Sequence, residues 1–305
     1  MKKAIYHGIG DLRVEEVPEP TPGPGEVKVR VKYCGICGSD LHEYQHGLFP
    51  QSPFGHEACG VITEVGAGVT DFQAGDEVLA FQKDAYGQYL ICPRERLFKK
   101  PPSMSWERAA VVEPLAGAAY AIDRGGVRPE DTVLITGAGP VGLMALLGLK
   151  ALGVRTVYQT DLSVIRRQKA QELGATLVLD PAQEKIPPKI KELTEGKGVD
   201  KAIEAVGVEA SLKDCLASVR FQGTVIVQGI FTERVPLNML GFVTRETTMI
   251  GTNSIHPALA MSWIEKGGIE PEKMITRILP LEDIREGFEA LVRKNKEEIK
   301  ILIAP

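Results

Sequence analysis

A chain of 305 residues is long for one hydrophobic core and is expected to fold as two domains. With 44% hydrophobic and 25% charged residues and a net charge of -4, its make-up is that of an ordinary globular protein, without the basic footprint of a nucleic-acid binder. No apolar run reaches the length that spans a bilayer as a helix. The opening MKKAIYHGIGDLRVEE breaks its short apolar stretch with charge and lacks the core of a signal peptide, so a cytoplasmic location with no membrane or nucleic-acid partner is expected. The five cysteines, at 34, 37, 59, 92 and 215, are odd in number and irregularly spaced, which fits a reducing compartment rather than a disulfide framework.

From Lys2 to about Val112 the chain runs through short β-rich segments, VKVRVKY, GVITEVG, DEVLAF and QYLICP, separated by Gly- and Pro-rich turns. Alternating valines between such turns predict a compact antiparallel barrel. The rhythm then changes. DTVLIT reads as a buried strand, GAGPVGLMALLGLKALG as turn plus helix, TVYQTD as strand, SVIRRQKAQELG as helix and LVLD as strand; IPPKIKELTEGKG, DKAIEAVG, SLKDCLASVR, GTVIVQGI and TTMIGTN continue the alternation. Strand alternating with helix predicts a doubly wound parallel sheet, so the fold class is α/β with a Rossmann domain beside the barrel. Beyond about Ser254 the helix LEDIREGFEALVRKN and the strand EIKILIAP do not extend that alternation.

The glycine pattern Gly137, Gly139 and Gly142 falls between an apolar strand and an apolar helix, with Asp161 nineteen residues beyond Gly142 at the end of the next strand. That context makes it a dinucleotide turn. Gly137 permits the tight turn, Gly139 lets the backbone approach a pyrophosphate, Gly142 allows close helix packing, and Pro140 and Val141 open the helix whose free N–H groups face the anion. Asp161 is expected to accept hydrogen bonds from the ribose hydroxyls and to repel a 2′-phosphate, favouring NAD over NADP; Arg166 and Arg167 either accommodate such a phosphate or form a solvated helix face.

Upstream stand Cys37, in CGICGSDLH, and His56 with Glu57, in GHEACG. Thiolate, imidazole and carboxylate are zinc ligand types, but eighteen residues separate Cys37 from His56, and spacing alone favours a buried cysteine and a hydrogen-bonded histidine over a metal site. In order and wording the motifs CGICGSDLH, GHEACG, VVEPLAGAAY and TGAGPVG resemble the zinc-dependent medium-chain dehydrogenases, the family of alcohol, polyol, threonine and butanediol dehydrogenases, nearly end to end.

The resemblance implies a GroES-like catalytic domain over 1–117, to which 255–305 returns, and a Rossmann domain over 118–254. It implies one catalytic zinc held by Cys37, His56 and either Glu57 or Glu113, the latter matching the glutamate of polyol, threonine and butanediol enzymes, or else a helix-start carboxylate. The carboxylate not on the metal, Glu57 among the catalytic candidates, is implied to stand in reserve or to hold the zinc-bound water. The resemblance also implies a proton relay from the Ser39 hydroxyl through a cofactor ribose hydroxyl to His42, which is alternatively only a cofactor-side hydrogen-bond partner, a loop-anchoring role for Asp40, and cofactor contacts from Val206, Gly229 and Ile230, where strand-end packing is the alternative. The four-cysteine lobe that holds a structural zinc in most relatives is missing, since GDEVLAF passes through FQKDAYGQYL to ICPRERLFKKPP, and Cys34 and Cys92 are expected in the core. Tyr44, His46, Leu48 and Phe49 are candidate pocket walls. The implied activity is zinc-assisted hydride transfer between a small secondary alcohol, diol or polyol and NAD by a homo-oligomer, a dimer or tetramer; the ending GFEALVRKNKEEIKILIAP most resembles butanediol dehydrogenases. A threonine or sugar-alcohol dehydrogenase, and a dinucleotide-binding protein without catalysis, are the alternatives.

Overall fold

A computed structural model describes residues 1–48, 54–293 and 297–305. The chain divides into two compact units, Met1–Glu113 with Glu272–Pro305, and Pro114–Pro271.

In the first unit β1 (Lys2–Gly8) and β2 (Asp11–Glu16) form a hairpin. Then follow β3 (Glu26–Gly35), α1 (Gly38–His46), β4 (Glu57–Val65), β5 (Glu77–Ala80), β6 (Tyr89–Pro93), β7 (Leu97–Lys99) and α2 (Trp106–Ala109). The ten-residue β3 organises this unit. One of its edges pairs with β4 over most of its length, and the other pairs first with β6 and then, at Cys34 and Gly35, with the C-terminal strand described below. Its alternate residues Val27, Val29 and Val31 are buried with Ile62, Tyr86 and Leu90 in one core, as the valine alternation requires. Cys34 and Cys92 are fully buried in that core.

The second unit runs from α3 (Val112–Arg124), whose first two residues belong to the first unit, through β8 (Thr132–Thr136), α4 (Pro140–Leu152), β9 (Thr156–Thr160), α5 (Val164–Glu172), β10 (Leu177–Leu179), α6 (Ile186–Leu193), β11 (Val199–Glu204), α7 (Glu209–Ser218), β12 (Val219–Val227), α8 (Met239–Thr244), β13 (Thr248–Gly251) and α9 (Pro257–Lys266). Six parallel strands lie in the order β10-β9-β8-β11-β12-β13, the Rossmann order, whose winding reverses between β8 and β11. Ligands of such sheets bind outside the carboxyl ends of the strands at that reversal.

The chain then returns to the first unit with β14 (Ile275–Pro280), α10 (Ile284–Val292) and β15 (Lys300–Ala304). Phe288 of α10 stacks on Phe54 and meets Tyr44 and Tyr86 at ring-centroid distances of 5.2–5.9 Å. The return falls at residue 272, later than the expected 255, because α9 packs into the second unit. Trp263 lies over Gly148 of α4, where an added Cβ would come within 2.8 Å of the indole. Arg108 and Glu272, at the points where the chain leaves and rejoins the first unit, form a two-pronged ion pair there.

Candidate metal centre and dinucleotide site

The metal-type residues are brought together by strand register. Gly35 of β3 is paired with Glu57 of β4 on one side and with Leu302 of β15 on the other. A Cβ at Gly35 would lie 2.2 Å from Glu57 Oε2 and 2.8 Å from Lys300 Cε, so only glycine leaves room for the carboxylate and ammonium that meet above it. Two residues on, Cys37 caps α1, a helix in what the sequence presented as a loop. Ligand atoms of Cys37, His56 and Glu57 all lie within 4.8 Å of one another, the one such group of three among the described residues. Glu113, in the first turn of α3, is not part of that group.

Around the cluster the carboxylates are held in place. Asp40 of α1 is buried, accepting from Gly55 N (3.2 Å) and from the Tyr86 hydroxyl (2.7 Å), while its other oxygen lies 3.8 Å from His56 Nδ1. It therefore joins α1 to the segment before β4, as a loop anchor would, and stands beside the imidazole on the side where metal-binding histidines commonly have a carboxylate. Burial raises the Asp40 carboxyl above its usual range, against the pull of His56 and Tyr86. For His56 burial works downward, but the Cys37 sulfur and the carboxylates of Asp40 and Glu113 outweigh it and raise its pKa well above the ordinary value. Burial pushes Glu113 up to about 7, opposed by His56 and Lys300 and assisted by Glu57 and Asp40. The negative groups that raise the His56 pKa also favour a divalent cation there, and the sulfur, nitrogen and oxygen donors fit zinc.

Lys300 was missed by the sequence reading. It is 1% exposed, ion-paired with the equally buried Glu57, and donates to Ile36 O at 2.8 Å. Burial lowers its pKa, but Glu57, Cys37 and Glu113 more than compensate and the net shift is upward, so it stays charged. The one available signal was a lysine opening the otherwise apolar strand KILIA.

Ser39 and His42 both lie on α1. The Ser39 hydroxyl donates to Cys37 Sγ at 3.3 Å. His42 is half-buried, and its Nδ1 has no hydrogen-bond partner among the described residues. Burial, then His46, lowers its pKa. The unfolded chain therefore takes up this proton at a higher pH than the folded one, so the contribution to stability is complete above the ordinary histidine value of about 6.5 and is lost as the pH falls from there through the lowered folded-state value. Replacing His42 by asparagine is expected to flatten the loss of stability between about pH 7 and 5, measured by denaturant unfolding; an unchanged profile would contradict it. Of the expected pocket walls, Tyr44 is 7% exposed and belongs to the core, its hydroxyl donating to Gly10 O at 3.2 Å. His46 and Leu48 are not buried, and Phe49 lies outside the described residues.

In the second unit the glycine turn follows β8. Gly137 has φ +94°, which only glycine adopts freely, and a Cβ there would lie 2.7 Å from Val206 Cγ2. A Cβ at Gly142 would fall 2.1 Å from Gly137 O, the close approach expected of that position. Gly139 caps α4, Pro140 takes the first helical position, and Val141 follows in the first turn. The two carboxylate oxygens of Asp161 accept from Ala138 N and Ser163 N, both at 2.8 Å, tying the glycine turn to the next helix and leaving one lone-pair direction on each oxygen. Neither arginine is a solvated helix face. Arg167 donates to Asp161 O and Leu162 O and pairs with Asp180, while Arg166 is half-buried with Nη1 3.5 Å from where a Gly139 Cβ would stand. Burial lowers the Arg166 pKa against the pull of Asp161. Val206 is 39% exposed beyond β11, and Gly229 and Ile230 are half-buried beyond β12, all at carboxyl ends of strands.

Residues 23–102 match the family model of the alcohol dehydrogenase GroES-like domain, and residues 140–265 that of the zinc-binding dehydrogenases. The (R,R)-butanediol dehydrogenase of Bacillus subtilis (strain 168) is 35% identical over 349 aligned positions covering all of both chains. The chain belongs to the zinc-binding alcohol dehydrogenase family. The human sorbitol dehydrogenase is 33% identical, over 98% of this chain and 94% of that one. Among solved structures, 2R,3R-butanediol dehydrogenase from Bacillus subtilis superposes with a TM-score of 0.91 at 34% identity, covering 100% and 99% of the two chains. An alcohol dehydrogenase of E. coli CFT073 complexed with NADH does so with 0.93 at 26% identity, covering 100% and 99%. As a member of this family the chain is an oxidoreductase, a dehydrogenase that uses zinc and a nicotinamide cofactor. An alignment of 349 positions over 305 residues leaves about 44 positions (349 − 305) without a counterpart here, which accords with the missing four-cysteine lobe.

Proposed function

We propose that this dehydrogenase oxidises a small secondary alcohol, diol or polyol to the ketone with NAD, using a single catalytic zinc. The observation that carries the reading is the convergence of Cys37, His56 and Glu57, reinforced by the buried Lys300, in a chain that also holds a complete dinucleotide turn. Cys37 and His56 would hold the metal with a carboxylate, Glu57 being the one grouped with them and Glu113 flanking. Zinc, when bound, supplies a Lewis acid that eases loss of a hydroxyl proton, and NAD accepts the hydride.

The protein's own groups complete the reaction. Asp40 lies beside His56, Lys300 pairs with one oxygen of Glu57, and Ser39 and His42 would pass the proton outward by way of a cofactor ribose hydroxyl between them, burial lowering the His42 pKa and so favouring the neutral form that accepts it at Nδ1. The butanediol and sorbitol enzymes among the relatives support the diol and polyol class. Reduction of NAD with butanediols, sorbitol, threonine and simple secondary alcohols tests the reading, together with elemental analysis. About one zinc per chain and turnover on a diol or polyol are expected, and two tightly bound zincs, or no NAD reduction with any of these alcohols, would overturn it.

Asp161 is the basis for NAD rather than NADP. Asp161→Gly is expected to raise the KM for NAD and lower that for NADP; wild-type protein with higher kcat/KM on NADP would reverse the assignment toward Arg166. A homo-oligomer, dimer or tetramer, is supported by β13, which ends the six-stranded sheet at an open edge beside Met239, Leu240 and Val243 of α8, exposed to 55%, 74% and 65%. Sedimentation of a monomer at micromolar concentration would count against it. No helix among the described residues is long and apolar enough to cross a membrane.

A further inference from the structure

Glu204 is the last residue of β11, in register with Thr136 of β8 and Val227 of β12, at the point where the winding of the sheet reverses. Its side chain is fully buried, and its Oε1 accepts from Val206 N (2.9 Å), Gly207 N (2.9 Å) and the Ser211 hydroxyl (2.6 Å). Its main-chain carbonyl accepts from Gln228 N (2.9 Å) and Gly229 N (3.0 Å). One residue thus fastens the loop after β11 and the loop after β12. The second oxygen, Oε2, is buried without a hydrogen-bond partner among the described residues and lies 2.4 Å from where a Cβ on Gly229 would stand. On the other side, a Cβ on Gly207 would lie 2.1 Å from Ile230 O. The two loops are therefore pressed together backbone to backbone, with the carboxylate as the wedge between them.

A buried carboxylate with one oxygen unpaired carries a desolvation cost that an apolar residue of the same shape would not. Holding these two loops in register is what the arrangement gives in return. Resting on the proposed dinucleotide function, we propose that Glu204 is the positioning residue for the nicotinamide end of the cofactor: it sets Val206, Gly229 and Ile230 as one surface without touching the ligand itself.

The test is binding of two ligands to the full-length protein, NAD and ADP-ribose, which shares every part of NAD except the nicotinamide. Glu204→Gln keeps the shape but turns three hydrogen bonds to a charged acceptor into weaker neutral ones. It is expected to weaken NAD about tenfold while ADP-ribose stays within about twofold, with the KM for NAD rising and the KM for alcohol unchanged. A residue that only stabilises the fold would weaken both ligands alike or neither, and either result overturns the proposal. Should Glu204→Gln fail to fold, Ser211→Ala, which removes one of the three donors, is expected to weaken NAD selectively by a few-fold; the same fold-change for both ligands, or none for either, would overturn it as well. If wild-type protein binds neither ligand, the dinucleotide reading fails rather than the assignment of Glu204.

Discussion

Replacing Cys37 by alanine is expected to abolish zinc binding and turnover together, whereas Ser39→Ala keeps the metal and loses turnover by about 10²- to 10⁴-fold, the usual contribution of a proton-transfer group. The two side chains sit on one turn of chain and touch, Ser39 Oγ lying 3.3 Å from Cys37 Sγ, so the pair separates ligand from relay at a single location. Loss of the hydroxyl also removes a hydrogen bond to the sulfur, which costs about tenfold or more in metal affinity, so zinc content is to be compared at saturating metal. His42→Ala is expected to be milder and to shift the pH dependence of kcat, because solvent replaces the last member of a relay. Full activity in Ser39→Ala, or retained zinc and turnover in Cys37→Ala, would refute the assignment.

The second large effect concerns stability. In metal-free protein Lys300→Met would strand the Glu57 carboxylate, 1% exposed, without its cation, and removing one partner of a buried pair costs about 3–5 kcal/mol. The denaturant midpoint should drop accordingly with the slope unchanged. Adding Glu57→Gln removes the stranded charge, and the double variant is expected to recover most of the loss, because replacing both members of a buried pair is far cheaper than replacing one. A double variant no more stable than Lys300→Met would show that the two side chains are not energetically coupled.

The second unit was almost fully legible in the sequence because its information is local. Each strand and helix from Thr132 to Gly251 except the short α8, which falls between the readings GTVIVQGI and TTMIGTN, announces itself by its own periodicity, and the glycine turn is marked by its immediate neighbours. Cys37, His56 and Glu57 could be placed in one site only through family resemblance, since their proximity depends on the pairing of β3 with β4. Lys300 depends on pairing between segments 264 residues apart, which no local pattern reports. Helix α1 was hidden because GSDLHEYQH has no apolar stripe; its Tyr44 turns into the core while its Ser39 and Asp40 lie against Cys37 and His56. The boundary at 272 was hidden for a different reason: α9 resembles any apolar helix, and only its docking of Trp263 onto Gly148 assigns it to the second unit.

Because Gly35 takes its partners from β4 on one side and from β15 on the other, the metal pocket is written in two instalments with the whole of residues 114–271 between them. During synthesis the second unit emerges as one uninterrupted stretch and can condense while the barrel still lacks its last strands. The pocket gains its lysine only when residues 275–304 have been made and paired. A fragment ending at Glu113 would carry the cysteine, the histidine and both glutamates yet lack the ammonium that pairs with Glu57, so the proposed site reaches its full charge balance only when the last strand is in place.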